Sequence, residues 1–211
     1  MHALLNIALR AAHDAAEALA HSSDRLDRVK LINDSAEGFM TSMDLEVDKT
    51  ILYHLEKAHP SHSFHSRVSG FKQGEEGSVV WLIDPLLGNR NFIVGYTQFA
   101  VSIACQVNGV ISHAAIICPL LREEFTASRG AGAQLNARRL RVGKHTTIDA
   151  GLIGLNFDDP HSENFLALQR ELILNGASPR ISGCTALDII HTAADRLQGG
   201  WAVNEDGCWY R

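Results

Sequence analysis

Trp81-Leu82-Ile83-Asp84-Pro85-Leu86-Leu87-Gly88-Asn89-Arg90-Asn91-Phe92 is the stretch from which the rest of the chain is read. An apolar run, Val79 to Ile83, ends in a carboxylate, a proline and a glycine. A short apolar run closed by residues that break regular structure reads as a buried strand leaving the core into a loop. Asp84 then stands at the strand's end, where α/β proteins place chemistry.

Upstream, Leu4 to Ala20 reads as an alanine-rich helix, with Leu4, Leu5, Ala8, Ala12, Ala15 and Leu19 at helical spacing. Ser22 to Glu37 is polar and irregular and is expected to be a loop. Thr41 to Ala58 reads as a second helix, opened by the capping-box-like Thr41-x-x-Asp44 and ended by Pro60. Phe71 to Ser78 is a Gly- and Glu-rich turn before the central strand. Downstream, Ala100 to Val107 and Val110 to Cys118 form strands joined by Asn108-Gly109, a hairpin signal. Glu124 to Ala127 and Leu152 to Leu155 are further strands. Asn164 to Leu174 and Thr185 to Leu197 read as helices, the first closed by Gly176. Strands in a block with helices before and after predict an α+β or mixed α/β layered fold.

The chain has 211 residues, 45% hydrophobic and 20% charged, enough for a sizeable core in one domain or two packed halves, about 1–145 and 146–211. A net charge of -5 argues against direct nucleic-acid or membrane-surface binding. The basic cluster Arg138, Arg139, Arg141 and Lys144 reads as a solvated strand face. Cys105, Cys118, Cys184 and Cys208 are widely spaced, without a Cys-x-x-Cys pair, so a reducing cytoplasm is expected. No basic segment followed by an apolar core marks a signal peptide, and no apolar run has the length of a membrane span.

The opening stretch resembles the Asp-Pro-Leu-Asp-Gly-Thr-x-Asn-Phe signature of the inositol monophosphatase family. Further segments carry the resemblance in order: Gly38-Phe39-Met40-Thr41-Ser42-Met43-Asp44, Phe99-Ala100-Val101-Ser102-Ile103-Ala104, Glu124-Phe125-Thr126-Ala127, Gly130-Ala131-Gly132-Ala133-Gln134-Leu135-Asn136 and Gly183-Cys184-Thr185-Ala186-Leu187-Asp188. The resemblance implies a layered sandwich of alternating helices and sheets over nearly the whole chain. It also implies hydrolysis of phosphate monoesters with bound Mg²⁺, whose hard octahedral shell needs several converging oxygen ligands.

Carried over position by position, the resemblance implies Asp84, Asp44 and Thr41 as catalytic positions. It implies Gly88, Asn89, Arg90, Arg67, Cys184 and Thr185 for substrate or anion, and Asp84 with the Leu86 backbone carbonyl for metal. The signature's second aspartate is Leu87 here and its threonine is Asn89; the metal-binding glutamate aligns with Arg67. No aspartate follows Trp209, and Asp206 is out of register. An arginine keeps its charge, so Arg67 is expected to repel a metal ion or to pair with Asp84. The plain alternative makes Thr41 and Asp44 a helix cap and Asp84 an acceptor for local backbone donors.

The expected function is therefore that of a family member with lost or much reduced phosphatase activity, weak or absent Mg²⁺ binding, and a binding or regulatory role. The alternative is a working Mg²⁺-dependent phosphatase on inositol monophosphate or a related sugar phosphate. The resemblance also implies a homodimer. It implies, from the family's bacterial extragenic-suppressor branch, a protein partner in a transcription complex with RNA polymerase and Nus factors. An apolar edge at Trp201, Val203 and Trp209 is expected to be covered in such a dimer. Arg67 and Arg90 together are expected to hold a phosphate if both reach the pocket. His59, His62 and His65 have metal-like spacing but read as exposed loop residues. Gly130-x-Gly132 is an incomplete nucleotide fingerprint, and Ser102 and Ser128 carry no nucleophile motif.

Overall fold

The computed structural model describes residues 2–35, 38–75, 77–157 and 163–203. The chain divides into two compact units, Met1–Arg139 and Leu140–Arg211. Trp209 and Asp206 lie outside the described residues.

In the first unit, α1 (Ala3–Ser23) buries Leu5, Ala8, Leu9, Ala11, Ala12, Ala15, Ala16 and Leu19. The alanines cost no side-chain entropy and let the helix lie close to its neighbours. A 3₁₀ turn (Leu26–Arg28) leads to an antiparallel hairpin, β1 (Leu31–Ser35) and β2 (Gly38–Thr41). The expected loop over Ser22–Glu37 is thus partly strand, because backbone pairing with β2 offsets its polar composition. Helix α2 (Ser42–Ala58) starts from a complete capping box: Thr41 Oγ1 accepts from Asp44 N, and the Asp44 carboxylate accepts from Thr41 N.

An eight-stranded sheet follows, in the order β10-β9-β8-β7-β6-β5-β3-β4. Its strands are β3 (Ser63–Ser66), β4 (Gly70–Lys72), β5 (Val79–Leu87), β6 (Ala100–Val107), β7 (Val110–Cys118), β8 (Glu123–Ser128), β9 (Gly132–Leu135) and β10 (Arg138–Arg139). Only β3 and β5 pair parallel; the other neighbours are antiparallel. Asn108 and Gly109 both have positive φ, 51° and 77°, as the expected hairpin turn between β6 and β7 requires. The exposed Arg138–Arg139 strand agrees with the solvated reading of that cluster.

β5 is the spine of this unit. Trp81, Ile83 and Leu86 are almost fully buried, each contributing about 1.5–3 kcal/mol or more by leaving water. The strand does not stop at Asp84 but runs on to Leu87. Its ladder with β6 shifts between Asp84, opposite Ser102, and Leu87, opposite Ala100. Pro85 occupies that irregularity, where its missing N–H costs no ladder bond. Gly88, at φ 74°, then turns the chain into the one-turn helix α3 (Asn89–Ile93).

In the second unit, β11 (Leu152–Phe157) pairs parallel with β12 (Ser178–Arg180) on one side and β13 (Gly199–Val203) on the other. Helix α4 (Glu163–Leu174) supplies Phe165 and Leu172 to a core with Ile153, Leu155 and Ala177. Helix α5 (Thr185–Ala193) ends before the expected Leu197, because Asp195 turns to φ 60° and leaves the helical region. Helices with a mixed sheet in one unit and with a parallel sheet in the other make the protein mixed α/β.

Candidate functional site

Arg67 lies on the turn after β3, and that turn is pinned from beneath. Ser66 Oγ hydrogen-bonds the Asp48 carboxylate and accepts from Val68 N at 3.0 Å and Ser69 N at 3.4 Å. Arg67 N donates to Ile83 O of β5 at 3.0 Å. With its backbone held, the guanidinium spans three elements. Nε donates to Asp84 Oδ1 at 2.8 Å, and Nη2 donates to Asp44 Oδ1 at 2.7 Å and to the Leu86 carbonyl at 3.0 Å. Of the two outcomes expected for this arginine, pairing with Asp84 is the one found.

Asp44 is fully buried at the start of α2. Oδ1 accepts from Arg67 and from Asn89 Nδ2 at 3.1 Å; Oδ2 accepts from Thr41 N at 2.8 Å and Thr41 Oγ1 at 2.7 Å. The same Asn89 amide donates to Phe39 O at 2.7 Å, tying β2 to the site. Every contact to this carboxylate is a donor. Asp84 Oδ1 also accepts from Leu86 N at 3.3 Å, so its local backbone role and its arginine pair coexist. Leu87, the last residue of β5, is a buried side chain, 5% exposed.

Burial works against the charge on Arg67, but the fields of Asp84 and Asp44 and their hydrogen bonds outweigh it. The guanidinium is held above its ordinary value. Burial also raises the Asp84 carboxyl, and the opposing pull of Arg67 and Leu86 N offsets this only in part. The cation is therefore permanent at any working pH, and the cost of burying the cluster falls on the carboxylate.

Other expected residues lie elsewhere. Arg90 does not join the cluster: it donates to Asp34 at 3.0 Å and lies over the Phe39 ring at 4.3 Å, because β1 and β2 offer it a carboxylate and a π-face. Cys184 and Thr185 belong to the second unit, where Cys184 precedes α5 and its N–H donates to Ser182 Oγ at 3.1 Å. His62 is not an exposed loop residue: it is buried, and its Nδ1 accepts from Trp81 Nε1 at 3.1 Å, while its ring stacks on His59 at 4.4 Å. His65 lies in β3, edge-on to Phe71. Among the described residues no three His, Cys, Asp or Glu side chains are grouped to hold a metal ion. Burial pushes the Cys105 thiol up to about 11, so it is a poor nucleophile.

Sequence reading missed Asp48 and Ser66, which set the Arg67 turn. The available signal was Asp44 and Asp48 four residues apart, on the same helix face as Val47, Ile51 and Leu55. Charged residues on an apolar face need buried partners.

The sequence profile of the inositol monophosphatase family matches residues 1–209. The chain belongs to that family. Nus factor SuhB of Pseudomonas aeruginosa is 40% identical to it over 208 residues, 95% of this chain and 77% of that protein. Nus factor SuhB of Escherichia coli (strain K12) is 34% identical over 206 residues, 96% and 77% of the two chains. The solved extragenic suppressor protein SuhB of Bartonella henselae matches with a TM-score of 0.91 at 30% identity, over 96% of this chain and 79% of that one. Inositol monophosphatase from Anabaena matches with a TM-score of 0.78 at 27% identity, over 94% and 74%. The expected layered α/β fold is thus the one these proteins share. No helix among the described residues is long and apolar enough to cross a membrane.

Proposed function

We propose that this chain is a binding member of the inositol monophosphatase family, with phosphatase chemistry lost or much reduced. One observation carries the reading: the Arg67 guanidinium bonds Asp84, Asp44 and the Leu86 carbonyl at once. These are oxygens of the kind a divalent ion requires. With a permanent cation already among them, and Leu87 rather than a carboxylate beside them, the residues present do not fit Mg²⁺. Charge repulsion disfavours the ion, and Asp84 Oδ1, Asp44 Oδ1 and the Leu86 carbonyl already accept from the guanidinium. Asn89 likewise places an amide donor on Asp44 in the position where the family signature has a threonine hydroxyl.

The role left is one of recognition. Two relatives bear the name Nus factor, which supports a protein partner in a transcription complex for this chain as well. The same reading makes it a cytoplasmic homodimer; Trp201, 56% exposed on β13, belongs to the apolar edge such an assembly would cover. Light scattering at tens of micromolar checks the dimer, and a monomer there removes it.

The deciding experiment is a phosphate-release assay on the purified chain with inositol monophosphate and millimolar Mg²⁺. No turnover above a protein-free control is expected. Robust Mg²⁺-dependent turnover, abolished by Asp84→Asn, would establish instead a working phosphatase.

A further inference from the structure

A cleft of about 510 Å³ opens at the N-terminal end of α1, on the far side of the sheet order from the Arg67 cluster, beside β7, β8 and β9. His2, His113, Ser128, Arg129 and Gln134 line it together with Leu5, and among the described residues no carboxylate does. That is unexpected in a chain of net charge -5. The two imidazoles stack with centroids 4.2 Å apart, and His113 is only 9% exposed. His113 Nδ1 lies 2.9 Å from Ser128 Oγ. When that hydroxyl donates to Nδ1, the ring proton sits on Nε2, making it a donor. His2 Nδ1 accepts from Leu4 N at 3.3 Å, which assigns its own ring proton to Nε2 in the same way.

Two backbone features add to this. The 21-residue α1 has no acidic residue in its first turn, so the positive end of its dipole has no carboxylate partner there. The rim of the cleft is the turn Ser128-Arg129-Gly130-Ala131-Gly132, the glycine pair set aside in the sequence as an incomplete fingerprint. Both glycines have positive φ, 79° and 83°. A Cβ at Gly132 would stand 4.0 Å from Nε and Nη2 of Arg139, so a second guanidinium lies along this rim.

We propose that this cleft binds a phosphate-bearing small molecule. The phosphate sits between the α1 N-terminus, the paired imidazoles and Arg129, and the remainder of the ligand lies over Leu5 and Gln134. The volume suits a phosphorylated sugar rather than a bare anion. The inference does not depend on whether the Arg67 site retains catalysis.

The test is isothermal titration of the full chain, without Mg²⁺, using ribose 5-phosphate and inorganic phosphate up to about 10 mM each. Saturable binding of ribose 5-phosphate, tighter than that of inorganic phosphate, is expected. Arg129→Gln, at an exposed position that leaves the fold intact, should weaken it about tenfold through loss of a charge-assisted hydrogen bond. His113→Gln should weaken it as well, and Asp84→Asn should leave it unchanged. The proposal is overturned by absence of binding to the unaltered chain, by equal binding of inorganic phosphate, by indifference to both Arg129→Gln and His113→Gln, or by loss in Asp84→Asn.

Discussion

Arg67 Nε donates to Asp84 Oδ1 at 2.8 Å across the start of the family's signature loop, with the arginine 27% exposed and the aspartate 6%. The pair joins the β3 turn to the end of β5, and Nη2 extends it to α2 through Asp44. Removing the cation strands two buried carboxylates. Arg67→Ala should therefore cost about 3–5 kcal/mol, the usual penalty for breaking a buried pair from one side. Arg67→Ala combined with Asp84→Asn should recover part of that loss. Urea unfolding of the three proteins measures both; an Arg67→Ala cost within about 0.5 kcal/mol of zero would mark the pair as a surface contact.

Arg67 also governs the response to Mg²⁺. Leu87→Asp alone should lower stability, since it places a carboxylate at a position only 5% exposed, and should gain nothing from Mg²⁺ while Arg67 remains. Arg67→Glu with Leu87→Asp replaces the cation by two more carboxylates near the Leu86 carbonyl. Millimolar Mg²⁺ should raise the melting temperature of that double variant by mass action and leave the unaltered chain where it is. An equal rise in the unaltered chain would show that the arginine does not exclude the ion.

Two glycines separate steric from conformational need. A Cβ at Gly74 would lie 2.2 Å from the His62 carbonyl oxygen, although Gly74 does not have positive φ. Gly109 has φ 77° and open space around its Cβ direction. Gly74→Ala should cost about 2–3 kcal/mol through a clash with backbone that cannot yield. Gly109→Ala should cost about 1–2 kcal/mol from left-handed strain alone. Asn should be tolerated at 109 and not at 74, because Asn enters the left-handed region but does not shrink. Thermal unfolding of the four variants reads the difference.

Asp188 supplies a pH dependence. Burial raises its carboxyl above the ordinary value, with hydrogen bonds from Ser182 and Asn156 opposing. A carboxyl raised in the folded state holds its proton more tightly there than in the unfolded chain. Its contribution is thus whole below the unfolded value, near about pH 4, and is lost as pH rises through the folded value. Asp188→Asn should gain on the unaltered chain between pH 4 and pH 7. Urea midpoints at several pH values test this, and because Asp84 titrates in both proteins, only Asp188 contributes to the difference. A constant gap across that range would remove the prediction.

The amino-acid sequence by itself determined the family and the course of most of the chain. The apolar run into Asp84-Pro85, the Thr41-x-x-Asp44 cap, the Asn108-Gly109 turn and the alanine stripe of α1 are local patterns, each with a local physical cause. It also placed arginine at 67 and leucine at 87, which no packing alters. It did not reveal β1 within polar residues, nor β2, β3, β4 and β13, since strands this short owe their existence to the partner they pair with rather than to their own pattern. The tertiary structure alone decided which way the charges turned. Arg67 and Arg90 look equivalent on either side of the motif, yet one reaches Asp84, Asp44 and the Leu86 carbonyl, and the other turns to Asp34 and Phe39. The reason is reach and burial. A long cation settles where carboxylates have already lost their water, and only the packed backbone of β3, β5 and α2 brings those carboxylates within a hydrogen bond of one guanidinium.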